Sequence, residues 1–419
     1  MSSEIDKAGS QTTVRGTRKR SWRQLWLDVH LYLGLTVGAL LVIFGITGSI
    51  LVFFQEIDEW LNPELLTVSV FGEARNVEDK VIYQPLRKIT DAAELVAAPG
   101  SKMTTLYAPR NSQGVFAVYM DQDSGDWQRI FVDPYRAQVT GIRSYAADEW
   151  FPDYLMDFIF QLHFSLLLGA NGFTVVAIAA LLLVISLFTG LIVWWPTTGQ
   201  WFKALTIKRN AGGVRLNFDL HKTFAFYFFP VVGAVLLSGV YMNLNEPFVW
   251  VTQQFSPATR ESPHNLSSVP SSDKQSIGVE QAWMYALEHF PDGELSAIFL
   301  PDSETGVYMV VQRQVPGLSV FWSERQIAID QFSGGVLDVR APNTRRSAGE
   351  TFLDWQWPLH SGKAFGWVGR ILIFLCGLAC PVIYMTGVIR WLQKRRAQQV
   401  KDRKQLADAV VDKKIRGAI

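Results

Sequence analysis

The sequence predicts a membrane α-helical protein: a four-helix transmembrane bundle built from two parallel repeats, with two α+β domains on one side of the membrane. Three observations carry this expectation. Four mainly apolar runs are each long enough to cross a hydrocarbon core of about 30 Å. The chain repeats itself: Leu162 to Trp194 overlies Leu359 to Trp391 at a constant offset of 197, matching His163 with His360, Gly169 with Gly366, Thr189-Gly190 with Thr386-Gly387, and Trp194 with Trp391. His30 and His221 likewise each head an apolar run and are followed, 17 and 18 residues later, by Thr47-Gly48 and Ser238-Gly239. Third, hydrophobic residues make up 49% of the 419 and charged residues 18%, yet mean hydropathy is only +0.13. Sizeable soluble parts must therefore separate the spans.

In chain order, residues 1–23 carry six Lys and Arg among polar residues and no apolar h-region, so they read as a cytoplasmic tail and not a cleavable signal. A first span covers 24–57 and ends in Gln-Glu-Ile-Asp-Glu-Trp, and an outside region follows over 58–156. The second span covers 157–196. Lys203, Lys208, Arg209 and Arg215 then mark an inside loop at 197–220. The third span is 221–246, the second outside region 247–356, the fourth span 357–392, and 393–419 a second cytoplasmic tail. Tryptophans fall where this topology needs interfacial belts: Trp26, Trp194, Trp195 and Trp391 inside, and Trp60, Trp150, Trp250, Trp355 and Trp357 outside. A continuous helix over Phe158 to Trp195 would be about 57 Å long, beyond the core thickness. Either it projects outward or Gly169-Ala-Asn-Gly172 breaks it.

The outside regions resemble each other. Leu106 to Tyr119 aligns with Ile298 to Val311 at an offset of 192, and Asp133 to Gly141 aligns with Asp330 to Asp338, so the second copy holds about five extra residues around Val315-Pro-Gly-Leu318. Each reads as one helix, near Pro85–Val96 and Val279–His289, followed by a small antiparallel meander of alternating strands. Ser256 to Ser276, rich in Ser and Pro, reads as a linker. The net charge of +1 argues against a nucleic-acid partner, and Cys376 and Cys380, four apart inside a span, read as packing residues.

The segments HLYLGLTVGALLVIFGITGSILVFFQEIDEWLNP from His30, LHFSLLLG with TGLIVWWP, DLHKTF, and LHSGKAFG with TGVIRW are similar to the PepSY-associated transmembrane family over about residues 22–396. Members of that family include inner-membrane ferric-siderophore reductases of bacteria. The third segment is the loosest copy, with Ala225 four residues after His221 where Gly34 follows His30. The resemblance implies a b-haem protein with two PepSY-like periplasmic domains, and the charge bias with four crossings leaves both termini cytoplasmic. It leaves the siderophore open.

The residues point the same way. Of six histidines, His30, His163, His221 and His360 each begin an apolar segment, where an ionisable side chain is costly and usually functional. His30 and His221 enter from the inside, His163 and His360 from the outside. If the halves are related by an axis along the membrane normal, each pair faces across it. That arrangement suits two b haems, each with two axial imidazoles, in an apolar four-helix core. Zinc or copper suits it less, since neither pair has a cysteine or carboxylate nearby. Asp28 and Asp219 read as solvated or supporting groups, and Gly38, Gly45, Gly48, Gly233 and Gly239 either admit a porphyrin or let helices pack. Arg370, ten residues after His360, is a candidate partner for a haem propionate, with snorkelling to the interface as the other reading. His264 and His289 read as solvated.

Two six-coordinate haems leave outer-sphere electron transfer, from the inside outward. The 28 residues after Trp391 hold no Gly-rich phosphate loop, so electrons are expected from quinol or a separate cytoplasmic reductase. The function expected is reduction of a periplasmic ferric siderophore with release of Fe(II). A siderophore permease and a membrane-anchored periplasmic binding module are the alternatives.

Overall fold

The computed structural model describes residues 21–69, 83–147, 153–196, 199–208, 210–258, 266–269, 275–317, 319–342 and 347–416. The tail before residue 21, Trp150, Arg209, His264, Leu318 and much of the Ser/Pro-rich linker lie outside them.

The first apolar run forms two helices, α1 (Trp22–Thr36) and α2 (Gly38–Leu51), bent by 56° at Val37. Ser21 opens α1 with a capping box, its hydroxyl accepting from Gln24 N while Gln24 Oε1 accepts from Ser21 N. Thr36 Oγ1 donates back to Tyr32 O at the bend, where a hydroxyl competes for the helical carbonyl. Short helices α3 (Phe54–Leu61) and α4 (Pro63–Leu66) continue the chain outward. After α5 (Leu86–Glu94) come strands β1 (Lys102–Tyr107), β2 (Phe116–Asp121), β3 (Trp127–Val132) and β4 (Val139–Tyr145).

The second run is also broken. Helix α6 (Leu155–Ser165) ends where Leu166 and Leu167 take left-handed φ of 53° and 60°, and α7 (Gly169–Trp194) restarts at Gly169. The break thus sits just ahead of the glycines that the sequence singled out. Gly172 makes the fold-back possible, because a Cβ there would collide with the carbonyl of Ser165. After α8 (Trp201–Leu205), the third long helix α9 (Gly213–Asn243) starts eight residues before His221, earlier than expected, and leads into α10 (Asn245–Gln253).

The second outside region supplies α11 (Val279–His289), β5 (Glu294–Phe299), β6 (Val307–Arg313), β7 (Glu324–Asp330) and β8 (Val336–Arg340). Then α12 (Ala348–Asp354) and α13 (Gln356–His360) lead to α14 (Gly366–Arg416). Here too a glycine permits the turn, since a Cβ on Gly369 would meet the carbonyl of Gly362. Helix α14 runs well past Trp391 because no Gly or Pro interrupts the polar stretch behind it.

Among the described residues three helices are long and apolar enough to cross a membrane, α7, α9 and α14, and the bent pair α1 and α2 makes a fourth candidate. They pack through small residues: a Cβ on Gly45 would lie 2.6 Å from Cys380 Cβ, and Ser49 Oγ donates to Phe374 O at 2.8 Å. Gly38 similarly abuts Tyr384 of α14. Cys376 and Cys380 are free and buried at this contact.

Beyond the long helices, the two expected domains merge. Among the described residues the strands form one antiparallel sheet of order β4-β3-β2-β1-β5-β6-β7-β8. The inner strands of the two meanders join through Thr105 with Phe299, Leu106 with Ile298, and Tyr107 with Ala297. Pairing removes two exposed edges that separate domains would each have to protect. Helices α5 and α11 cover one face with residues at i, i+3 and i+7: Leu86, Ile89 and Ala93, and Val279, Ala282 and Ala286. Leu106, Phe116, Val118, Ile130, Ile298, Val310, Ile327 and Ile329 meet them in one continuous core.

Candidate functional site: two histidine pairs and their seats

Four histidines lie between long helices, in two pairs. His30 of α1 faces His221 of α9 with ring centroids 6.3 Å apart and planes at 63°. His163 of α6 faces His360 of α13 at 6.1 Å and 69°. The levels are separated along α9 by the 17 residues from His221 to Ser238, roughly 25 Å of helix.

Each ring is seated on a neighbouring helix by one recurring device. His30 Nδ1 lies 2.9 Å from Ser186 O, and the next turn carries Thr189-Gly190. His221 Nδ1 lies 2.9 Å from Ile383 O and 3.2 Å from Thr386 Oγ1, beside Gly387. His360 Nδ1 lies 3.1 Å from Val235 O and 2.9 Å from Ser238 Oγ, beside Gly239. His163 Nδ1 meets Thr47 Oγ1 at 2.8 Å, beside Gly48. A carbonyl can only accept, so three of the Nδ1 atoms carry the proton. Thr47 donates its own hydrogen to Ile43 O at 2.6 Å and therefore accepts from the fourth. In all four rings Nε2 is left with its lone pair, the state a metal requires of imidazole.

The glycines supply space. A Cβ on Gly190, Gly48 or Gly387 would stand 2.8, 3.0 or 3.1 Å from the Cε1 of His30, His163 or His221, and on Gly239 it would stand 3.8 Å from that of His360. The hydroxyl–glycine pairs were visible as repeats in the sequence. What their spacing did not reveal is that each seats a histidine of another helix. Gly38 and Gly45 serve helix packing instead, and Gly233 makes only an ordinary contact with Leu187.

The 6.3 and 6.1 Å separations are close to what two imidazoles sharing one metal ion would show. Two metal–imidazole bonds of about 2.0–2.1 Å, with about 1.1 Å from each Nε2 to its ring centre, give about 6.2–6.4 Å between centroids. A direct imidazole–imidazole hydrogen bond would bring them about 1 Å closer. Among the described residues no three or more His, Cys, Asp or Glu gather as a possible metal site, so each pair offers two imidazoles. Two axial positions are what haem asks of a protein.

Arg370, the candidate propionate partner, meets protein groups of the first span. Its Nη2 donates to Glu56 Oε1 and to Val52 O, both at 2.8 Å, and the guanidinium lies over Phe53 and Trp367, tying α14 to the end of the first span. Asp219 is buried and paired with Arg215 at 3.1 Å and Lys222 at 2.9 Å, so it is not solvated. His289 Nδ1 lies 2.9 Å from Tyr285 O, far along the chain from either pair.

A buried ionic cluster fastens the sheet to the helices. Arg143 of β4, with no exposed surface, makes two 2.8 Å bonds to the Asp58 carboxylate of α3 and a 3.3 Å bond to Asp157 of α6. Tyr145 donates to Asp157 Oδ2 at 2.7 Å and stacks on Trp127 at 3.8 Å. Burial pushes its hydroxyl pKa up, which keeps the donor protonated. Asp157 stands six residues before His163, so the cluster sets the origin of that helix. Asp58 belongs to the Glu-Ile-Asp-Glu-Trp stretch, whose partner on a distant strand no local signal discloses.

Comparison with curated proteins finds no match. Among solved structures, a lipoprotein from Clostridium difficile 630 is similar at 12% identity over 64% of this chain and 98% of that one, with a TM-score of 0.25 that carries no argument about fold or function. The family model described as the PepSY-associated TM region matches residues 27–394, a stretch that holds all four histidines and their seats, and the chain belongs to that family of membrane proteins.

Proposed function

We propose that the protein is a di-haem b reductase of the bacterial inner membrane, passing electrons outward to a periplasmic ferric siderophore and releasing Fe(II). In this reading the four spans form one bundle of two parallel repeats, both termini are cytoplasmic, and the sheet lies in the periplasm. One observation carries it: two histidine pairs, about a membrane core apart, whose rings stand 6.3 and 6.1 Å from each other with Nδ1 engaged.

His30 with His221 would hold one haem and His163 with His360 the other, each supplying single-electron transfer at its own level. The residues around them do three things. The hydroxyl–glycine seats hold each Nδ1 proton on a backbone or hydroxyl oxygen and aim Nε2 away from it. The surrounding helices leave each ring only partly exposed. The Arg143 cluster holds the sheet over the outer level. With His163 and His360 both engaged in holding the outer haem, the chemistry that group would supply to a ferric chelate is single-electron transfer. Hard-oxygen ligands hold Fe(II) less tightly than Fe(III), so one electron frees the metal and leaves the carrier intact.

The test is a visible spectrum and haem count on purified protein, then anaerobic mixing of the dithionite-reduced form with ferric siderophores in the presence of a ferrous trap. Two haems per chain and reoxidation by at least one ferric chelate are expected. Absence of haem, or reduced protein that no ferric chelate reoxidises, would sink the reading, and uptake of intact chelate into vesicles would replace it with a permease.

A further inference from the structure

The two halves part company at the inside end of the bundle. Phe218 of α9 stands about one turn to the inside of His221, and Arg390 of α14 about one turn to the inside of Gly387, the glycine beside that histidine. Three cations gather on the Phe218 ring: the Arg390 guanidinium at 5.0 Å, that of Arg215 at 5.8 Å and the Lys222 ammonium at 5.9 Å. At the offset of 191 that joins His30 to His221, the first half has Leu27, Gln24 and Leu31 where the second has Phe218, Arg215 and Lys222, and at the offset of 197 it has Val193 for Arg390. The cluster therefore belongs to one half alone.

Its charges do not balance. Asp219 is already shared between Arg215 at 3.1 Å and Lys222 at 2.9 Å. Among the described residues Arg390 has no carboxylate partner, and neither has Lys394 one turn farther along α14. Burial and the neighbouring Arg390 charge push the Lys394 ammonium pKa down. Four cations here share one carboxylate.

Beside them lies a cavity of about 410 Å³ lined by Gly212, Gly213, Val214, Arg215, Phe218 and Arg390. The lining holds two guanidiniums and no carboxylate. A Cβ on Gly212 or Gly213 would meet nothing within 4 Å, so the floor is open. Val214 and Phe218 are 56% and 37% exposed, an apolar flank directly beside the charges. We propose that this cavity seats an anionic phospholipid of the inside leaflet, with its phosphate between Arg215 and Arg390 and its glycerol esters along Val214 and Phe218. A soluble anion would use only the cations. The apolar flank, at one end of two helices long enough to span a membrane, favours a lipid, and basic pockets between such helices are where anionic headgroups bind. The volume lies within the range of about 300–1,000 Å³ that holds small ligands. Bound there, the lipid joins α9 to α14 at the contact that seats His221. Neither haem nor electron transfer enters the argument, so the site stands apart from the reductase reading.

The test is native mass spectrometry and thermal melting of the full-length protein in detergent, titrated with dioleoylphosphatidylglycerol or the zwitterionic dioleoylphosphatidylcholine. One phosphatidylglycerol per chain should be retained about tenfold more tightly than phosphatidylcholine and should raise the melting temperature. Arg390→Gln should weaken its binding about fivefold, the effect of one basic side chain on an anionic headgroup. Gly213→Asp sets a carboxylate in the cavity while suiting a helix start, and should abolish the preference. Lys401→Gln, on the exposed extension of α14, removes the same charge as Arg390→Gln but away from the cavity and should bind as the parent does. Equal retention of the two lipids by the parent, a Gly213→Asp protein that melts normally and keeps the preference, or equal losses in Arg390→Gln and Lys401→Gln would overturn the proposal. Displacement of phosphatidylglycerol by an equal concentration of inorganic phosphate would assign the cavity to a soluble anion and overturn it as well. Since binding is read without redox chemistry, a haem-free protein that keeps the preference counts against the reductase alone, and a haem protein without it counts against this site alone.

Discussion

Alanine at Gly190 is the sharpest probe of the histidine seats. An ideal Cβ there stands 2.8 Å from His30 Cε1, whereas carbon atoms rest at about 3.5–4.0 Å. The imidazole must withdraw by about 0.7–1.2 Å, and metal–ligand bonds tolerate only about 0.2 Å. Overpacking of this kind costs about 1–3 kcal/mol, which is about 5–150-fold in affinity for whatever the His30 and His221 pair holds. Helix propensity acts in the opposite direction, since Gly to Ala inside a helix is worth about 1 kcal/mol in favour of alanine. The other seats supply a graded series: 3.0 Å at Gly48, 3.1 Å at Gly387 and an ordinary 3.8 Å at Gly239. Haem content, reduced spectrum and midpoint potentials of the four purified alanine variants should therefore fall in that order, Gly190→Ala losing or shifting the inner haem and Gly239→Ala matching the parent. Four variants with identical haem content and potentials would refute the seat argument, and so would a Gly239→Ala protein perturbed as strongly as Gly190→Ala.

Replacing His30 or His221 by alanine should remove one and the same haem, and replacing His163 or His360 the other; two full haems in both His30→Ala and His163→Ala would contradict the assignment. Arg143→Ala leaves the carboxylates of Asp58 and Asp157 buried without their shared cation. A loss of about 3–5 kcal/mol is expected, read as a lowered melting temperature and early proteolysis of the sheet, and an unchanged melt would show that the cluster contributes nothing to docking. In whole cells, an impermeant thiol reagent reaching the periplasm should label Ser124→Cys and not Gly212→Cys; labelling at Gly212 reverses the orientation.

Much of the architecture was legible because it rests on local composition and period. Apolar length marks the spans, and the spacing of Leu86, Ile89 and Ala93 and of Val279, Ala282 and Ala286 marks the two covering helices within a few residues. Entry side alone was enough to say which histidines could meet, since helix direction is dictated by the order of crossings. The breaks at Val37 and Leu166–Leu167 were less legible, because a helix end depends on a fold-back contact such as Gly172 against Ser165, which exists only in three dimensions.

The sequence by itself determined four apolar runs, two alternating-strand regions between them, and four histidines each heading such a run. These follow from the solvent preference of side chains in order along the chain. Only the tertiary structure decided that β1 and β5 join two meanders into one sheet, that Arg370 ties α14 to Glu56, and that each hydroxyl–glycine pair seats a histidine of a different helix. The physical reason is common to all three. Edge pairing, ion pairing and a close backbone approach are contacts between residues far apart in the chain, and their partners are chosen by which surfaces the packed helices bring together.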